Sequence, residues 1–419
     1  MPFYFMQNNF KYILLLISVT LLTGCSTEKD KRLNKFYHNT TAYYNGYFNA
    51  REIIKVTKKD FEKNSPEDFS KLIPINRYPN EEESKAFFPE MNRSIDKTST
   101  VINKHAMPNE KKGRDARKEY GNWMDENWMI MGVSYFYKRE YPAAIEKFEY
   151  IIKMYPKDES KYYAKLWLAN TYIEMGDYPK ALQYINEIEI EKEAKELSDL
   201  KAEKRKERSK RYTKRTKKRK SRGRVKTTKK REEAKEEKSF LVTFPKKMKA
   251  DFYATTADLY LRSEKYLSAI QFLDSAIAYE KSKKLRVRYS FIKAQLHQEL
   301  GNKKDASEMY EYVIKKNTNY KMAFYAKINS ALLASNQNRS GLKTELLKLA
   351  KDEKYIEFRD QIFYALADLE LQDGNKATGI PALINKETEL MPPFKIANDD
   401  FFKTSFILTG FLTYKICLA

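Results

Sequence analysis

The residue with the plainest chemical signature is Cys25, at the end of Leu22-Thr23-Gly24-Cys25. Small residues directly before a cysteine are what a lipoprotein signal peptidase requires once the thiol carries lipid. The approach to it fits, with Lys11 followed by a near-uncharged run from Tyr12 to Leu22 that is too short to cross a bilayer and right for a signal-peptide core. The spacing predicts a signal peptide over 1–24, lipidation at Cys25 and a lipid tether over 25–35.

A second chemical feature is cationic. Between Lys201 and Lys238 the chain places 21 Lys and Arg against 6 Glu, so this stretch carries most of the net +23 of the 419-residue chain. From Ser209 to Arg231 no acidic residue occurs, and Lys217, Lys218, Arg219 and Lys220 lie at its centre. Such a block repels itself and stays solvated. It predicts an arm that docks on an anionic envelope component. Nucleic acid is not expected, because Tyr212 alone could stack a base where single-strand binders interleave several aromatics with their cations.

Catalytic sets are missing from the pattern. His38, His105 and His297 stand isolated, no His pair occurs at i, i+4, and no cysteine pair exists for a metal. There is neither a glycine-rich phosphate loop nor a Gly-x-Ser-x-Gly elbow. Glu146, Glu149 and Asp158 fall on expected solvent faces. These observations exclude an enzyme and call for no cofactor or metal. With Cys25 lipidated and Cys417 at the far end, no internal disulfide is expected either.

The elements that position what remains come from an internal repeat. Trp128-Met129-Ile130-Met131-Gly132-Val133-Ser134-Tyr135, followed by Ala144, Phe148 and Pro156, fits the tetratricopeptide pattern W-x2-L-G-x2-Y, A-x3-F, P, with Met131 in place of leucine. Gly132 and Ala144 are small so that two helices can approach closely, and Pro156 ends the pair. A second copy runs through Leu168, Ala169, Tyr172, Gly176, Tyr178, Ala181 and Ile185, and a third through Tyr253, Ala257, Tyr260, Tyr266, Ala269, Leu273 and Ala276. A weaker fourth uses Phe291, Ala294, Gly301, Ala306, Tyr310 and Val313. A fifth pair follows at 322–333 and 342–350, and Phe363 to Gly374 opens a sixth.

The predicted fold is therefore all-α: a tetratricopeptide-repeat solenoid of about five helical pairs, with an N-terminal helical cap over 36–120. Repeats 1–2 occupy 121–192, a basic and largely disordered insert occupies 193–249, and repeats 3–5 with the incomplete sixth occupy 250–386. Within the insert, the preceding helix is expected to continue to about Ser209, supported by Glu and Lys four apart. Pro66, Pro74, Pro79 and Pro89 break part of the cap into turns. The tail over 387–419 is atypical, with Pro392-Pro393 and an apolar stretch from Phe401 that is interrupted by Lys403 and Lys415 and falls short of a membrane span.

Such arrays offer a concave face lined by the first helix of each pair. In register, this face contains Tyr137, then Asn170 and Glu174, then Asp258 and Arg262, then Arg288, Phe291, Gln295 and Glu299. It shifts from aromatic to polar, which suits an extended or helical partner segment with apolar anchors near one end.

Taken together, the lipobox cysteine and Lys35-Phe36-Tyr37-His38-Asn39-Thr40-Thr41-Ala42-Tyr43-Tyr44-Asn45-Gly46-Tyr47-Phe48-Asn49-Ala50 resemble the start of the SprE/PorW lipoproteins of the type IX secretion and gliding machinery. Ile95 to His105, Trp123 to Gly132, and the basic insert followed by Phe244-Pro245-Lys246-Lys247 are similar to that family too, over roughly residues 20–380. The resemblance implies an outer-membrane lipoprotein facing the periplasm. It would link ring and core components to the secretion translocon, without catalytic residues. The chain departs from the family in its length, since such proteins carry further repeats, and in its tail after about Ile384. Two other lipoprotein classes fit less well. A SusD-like glycan binder needs a large non-repeat domain, for which there is no room, and an outer-membrane assembly lipoprotein would not account for the basic insert and tyrosine-rich start.

Overall fold

The computed structural model describes residues 32–106, 121–220, 242–316, 318–333 and 339–374, and every regular element among them is helical. The chain forms two compact units. The first comprises residues up to Pro66 together with Tyr78–Lys246, and the second comprises Glu67–Arg77 together with residues from Lys247 onward.

The first unit opens with α1 (Arg32–Thr41), a π-helical turn (Ala42–Phe48) and α2 (Asn49–Asn64). The wide turn follows from a close approach. A Cβ on Gly46 would sit 2.2 Å from Asn127 Oδ1, while Asn127 Nδ2 donates to the Ala42 carbonyl at 3.3 Å and to that of Trp123 at 2.6 Å. Tyr47 stacks on Trp123 at 5.4 Å and Tyr43 lies 4.6 Å from the same ring. The Tyr-Asn-Gly-Tyr-Phe motif is thus a packing joint between the cap and the first repeat.

Short α3 (Glu81–Ser84) begins with a capping box made by Asn80 and Glu83, and α4 (Phe88–His105) carries Pro89 in its first turn. The first repeat is α5 (Met124–Tyr137) and α6 (Tyr141–Met154), and the second is α7 (Ser160–Met175) and α8 (Tyr178–Lys220). The expected small residue at the first crossing is needed there, since a Cβ on Gly132 would lie 2.6 Å from the ring of Phe148, which is fully buried.

Two expectations are corrected in this unit. His38 and His105 are not isolated: α1 and α4 bring their Nδ1 atoms to 2.8 Å across 67 residues of sequence. One ring must donate and the other accept, and burial together with the His38 charge pushes His105 down from the ordinary histidine value. The helix that leads into the insert is also longer than the expected end near Ser209. Helix α8 runs on to Lys220, with Lys195 and Asp199 paired four apart at 2.7 Å. At the other end of the insert Phe244 is buried against the Tyr162 ring, whose hydroxyl donates to the Val242 carbonyl at 3.0 Å. An aromatic anchor outweighs the surrounding polar composition there.

The second unit contains α9 (Lys249–Arg262) and α10 (Tyr266–Tyr279), α11 (Lys283–Glu299) and α12 (Lys303–Lys316), then α13 (Tyr320–Leu333), α14 (Arg339–Lys351) and α15 (Arg359–Gln372). These are the third, fourth and fifth pairs and the opening of the sixth, as the spacing predicts. Ala257 and Ala269 are fully buried at the α9/α10 crossing, and Tyr260 stacks on Phe272. The core of this unit runs through Phe291, Tyr310, Phe324 and Ile362, and it includes three residues from far upstream, Phe69, Ile73 and Ile75. Among the described residues, no helix is long and apolar enough to cross a membrane.

Candidate functional site

The inner face of the second unit is built by α9 and α11. Ala254, Asp258 and Leu261 recur at helical spacing on α9, as do Arg288, Phe291 and Gln295 on α11, so each set shares one face. Residues 67–77 lie along that face without helix or strand, with a turn at 69–70 and bends at 71 and 75–76. The turns expected here from the prolines are present, and the segment also fills the groove expected to await a partner.

Its main chain is held by side chains. Gln295 Oε1 accepts from the Ile73 N–H at 3.3 Å, and Gln295 Nε2 donates to the Lys71 carbonyl at 2.7 Å. Asp258 Oδ1 accepts from the N–H groups of Ile75 at 2.9 Å and Asn76 at 3.4 Å. Arg288 donates from Nη2 to the Pro74 carbonyl at 2.7 Å and from Nε to that of Ile75 at 3.3 Å, and its guanidinium forks onto both carboxylate oxygens of Glu67. Pro74 has no N–H to offer, and none is called for at that position. Phe69 meets Phe291 edge-on at 5.7 Å and Tyr325 at 6.2 Å.

Asp258 is the electrostatic centre of this face. Its side chain is fully buried, which pushes its carboxyl up from the ordinary aspartate value. The Arg262 charge at 3.3 Å and the two backbone donors pull the other way. A buried carboxylate that lost those donors would be costly, so the face demands N–H groups from whatever lies on it.

Of the groove residues expected from the register, Asp258, Arg262 and Gln295 therefore come together, and Glu299 sits exposed at the end of α11. Glu67 and its segment went unnoticed in the sequence. The usable signal was the Phe69, Ile73, Ile75 spacing around Pro74, apolar residues that cannot continue a helix.

In the first unit the expected groove residues are not open to a partner. Tyr137 is buried, stacked on Phe87 at 5.4 Å and covered by Tyr78 at 6.0 Å. Asn170 Nδ2 donates to the Leu166 carbonyl of its own helix at 3.1 Å. Glu174 faces Arg139 at 3.5 Å, and Arg139 also donates to the Pro79 carbonyl at 3.1 Å. The cap covers this face because the aromatics that lined it in the sequence need burial. Glu126, in the first turn of α5, is pushed up to about 8 by burial, aided by the hydrogen bond and charge of Asp125.

A cavity of about 830 Å³ opens between α2 and the α3–α4 segment, lined by Glu52, Asp60, Glu83, Glu90, Arg93 and Lys97 among others. Among the described residues, no cluster of three or more His, Cys, Asp and Glu could hold a metal ion. Cys25 lies outside the described residues, as do the side chains of Lys217, Lys218, Arg219 and Lys220 and the tail over 387–419.

A family model described as tetratricopeptide repeat matches residues 135–203. No curated protein matches the chain. Among solved structures, the apo form of RapI is similar at 13% identity and a TM-score of 0.41, covering 91% of this chain and 92% of that one. A tetratricopeptide repeat protein from Parabacteroides merdae shows 12% identity and a TM-score of 0.35, over 78% of this chain and 96% of its own. The TPR2AB domain of yeast Sti1 in complex with pHSP90 shows 15% identity and a TM-score of 0.20, over 74% and 96%. With the matched repeat and the succession of packed helical pairs, the fold is an all-α tetratricopeptide-repeat solenoid.

Proposed function

We propose that this protein is a non-catalytic adaptor that holds partner proteins through its repeats while lipid on Cys25 ties it to the outer membrane, facing the periplasm. The observation that carries the adaptor reading is the α9/α11 face, where Asp258, Gln295 and Arg288 grip a non-helical main chain and Phe291 takes an aromatic side chain. A surface so built reads peptide segments. The membrane address rests on Leu22-Thr23-Gly24-Cys25. The particular machine, type IX secretion and the gliding that depends on it, rests on the resemblance of Lys35 to Ala50 to the SprE/PorW lipoproteins.

In this role the chain links translocon components with ring and core components, and the basic run around Lys217 to Lys220 adds contact with anionic envelope components. Deleting the gene and assaying secreted cargo in medium and cells, together with affinity purification from the envelope, tests the assignment. Loss of secretion with co-purified translocon or ring components is expected. Normal secretion with neither class recovered would refute it.

A further inference from the structure

We propose that the α9/α11 face is a peptide site autoinhibited in cis. Residues 67–76 act as a built-in competitor, and the partner is a non-helical segment of another protein with the same chemistry: a carboxylate, an aromatic residue two positions on, and two β-branched aliphatics flanking a proline. The proposal rests on the adaptor reading and names both the ligand class of its groove and the way that groove is regulated.

The interactions divide into two kinds. Those of Gln295 and Asp258 are with main-chain groups alone and so would hold any peptide that presents N–H groups at the positions of Ile73, Ile75 and Asn76. Selectivity comes from three side-chain readouts. Arg288 forks onto the Glu67 carboxylate, Phe291 and Tyr325 receive Phe69, and the unit's core receives Ile73 and Ile75. A carboxylate matched bidentately to arginine is the sort of contact that discriminates among ligands.

The occupant is also poised for exchange. It contributes no helix or strand to the unit, and its main-chain bonds described above run to side chains, so another peptide could replace them one for one. Asp258 makes the exchange selective. The buried carboxylate tolerates only an entrant that restores its backbone donors, which favours a non-helical peptide over a helix, whose own N–H groups are spent internally. Tethering supplies the inhibition. A covalently attached segment competes at an effective concentration on the order of millimolar, so a free peptide with a micromolar dissociation constant is outcompeted roughly 10³-fold.

The test uses the full-length chain and a fluorescein-labelled synthetic peptide of residues 67–77, Glu-Asp-Phe-Ser-Lys-Leu-Ile-Pro-Ile-Asn-Arg. The parent chain should bind it at least 10²-fold more weakly than a Phe69→Ala/Ile75→Ala variant whose own segment is loosened. Adding Arg288→Ala to that variant, or using a Glu67→Ala peptide, should cost at least tenfold. A loosened variant that retains its far-UV circular dichroism yet gains no peptide binding overturns the proposal, as does equal binding by parent and variant. Should the variant fail to fold, hydrogen exchange on the parent decides. The Ile73, Ile75 and Asn76 amides should exchange at least tenfold faster than those of Phe291 and Ile292, through opening of the segment alone. Exchange of both groups at the same slow rate overturns the proposal. Failed peptide exchange with intact envelope co-purification leaves the adaptor reading standing. The reverse result removes that reading and keeps the cis ligand.

Discussion

The sharpest stability prediction concerns Gly132, where adding one methyl group sets two effects against each other. In the middle of α5, alanine for glycine gains about 1 kcal/mol of helix propensity. The new Cβ would lie 2.6, 2.9 and 3.0 Å from three atoms of the Phe148 ring, inside contact distance. That ring cannot swing aside freely, because it is fully buried and stacked on Trp167 at 6.1 Å with the planes 14° apart. Forcing an extra carbon into such a site costs about 1–3 kcal/mol. Crowding wins, and Gly132→Ala should lose about 1 kcal/mol net.

For a unit of this size the loss corresponds to a fall in Tm of about 2–4 °C. The assay is clean because all three tryptophans, Trp123, Trp128 and Trp167, belong to the first unit, so tryptophan fluorescence follows its melting alone. Gly341 in α14 is the control. A Cβ there meets nothing within 4 Å, and Gly341→Ala should gain about 0.5–1 kcal/mol, read by circular dichroism. Refutation would be a first-unit transition that rises for Gly132→Ala as the second unit's does for Gly341→Ala.

Two further outcomes follow. Glu126, pushed up to about 8 in the fold, binds a proton more readily there than in the unfolded chain, so its contribution is full at low pH and is lost as pH rises from about 4.5 through about 8. Denaturation followed by tryptophan fluorescence should show stability falling across that window by up to about 1.4 kcal/mol per pH unit, and Glu126→Gln should flatten the slope; an unchanged slope refutes the assignment to Glu126. Cys25→Ala should leave the chain unlipidated and released from the membrane fraction, and unchanged fractionation would count against the lipobox.

The parts of the fold that were legible are those written locally. Trp128 to Pro156 declares a helical pair within thirty residues, since spacing on each helix and a small residue at the crossing suffice, and the later pairs repeat that grammar. What escaped notice depends on partners far away in sequence. His38 meets His105 only because α1 and α4 pack together, and a search for pairs one helical turn apart has no access to that. Pro66 and Pro74 correctly signal the absence of helix at 67–77, but nothing within the segment says that its carbonyls and N–H groups belong to Gln295, Asp258 and Arg288. The groove residues were identified from their register, whereas their occupant was not. Tyr137 was misplaced for a related reason: an aromatic on an inner face reads equally as a binding anchor or as a core residue awaiting a cap, and Phe87 and Tyr78 make it the latter.

The upstream position of the groove's occupant also sets a schedule. Ile75 and Asp258 are 183 residues apart, and Lys71 and Gln295 are 224 apart. Emerging N-terminus first, the segment waits until the helices that receive it have followed. Throughout that interval Phe69, Ile73 and Ile75 have no permanent home, and the first unit must close around a departing loop. Maturation then includes a long-range docking event, and a molecule that captures residues 67–76 beforehand would leave the groove vacant.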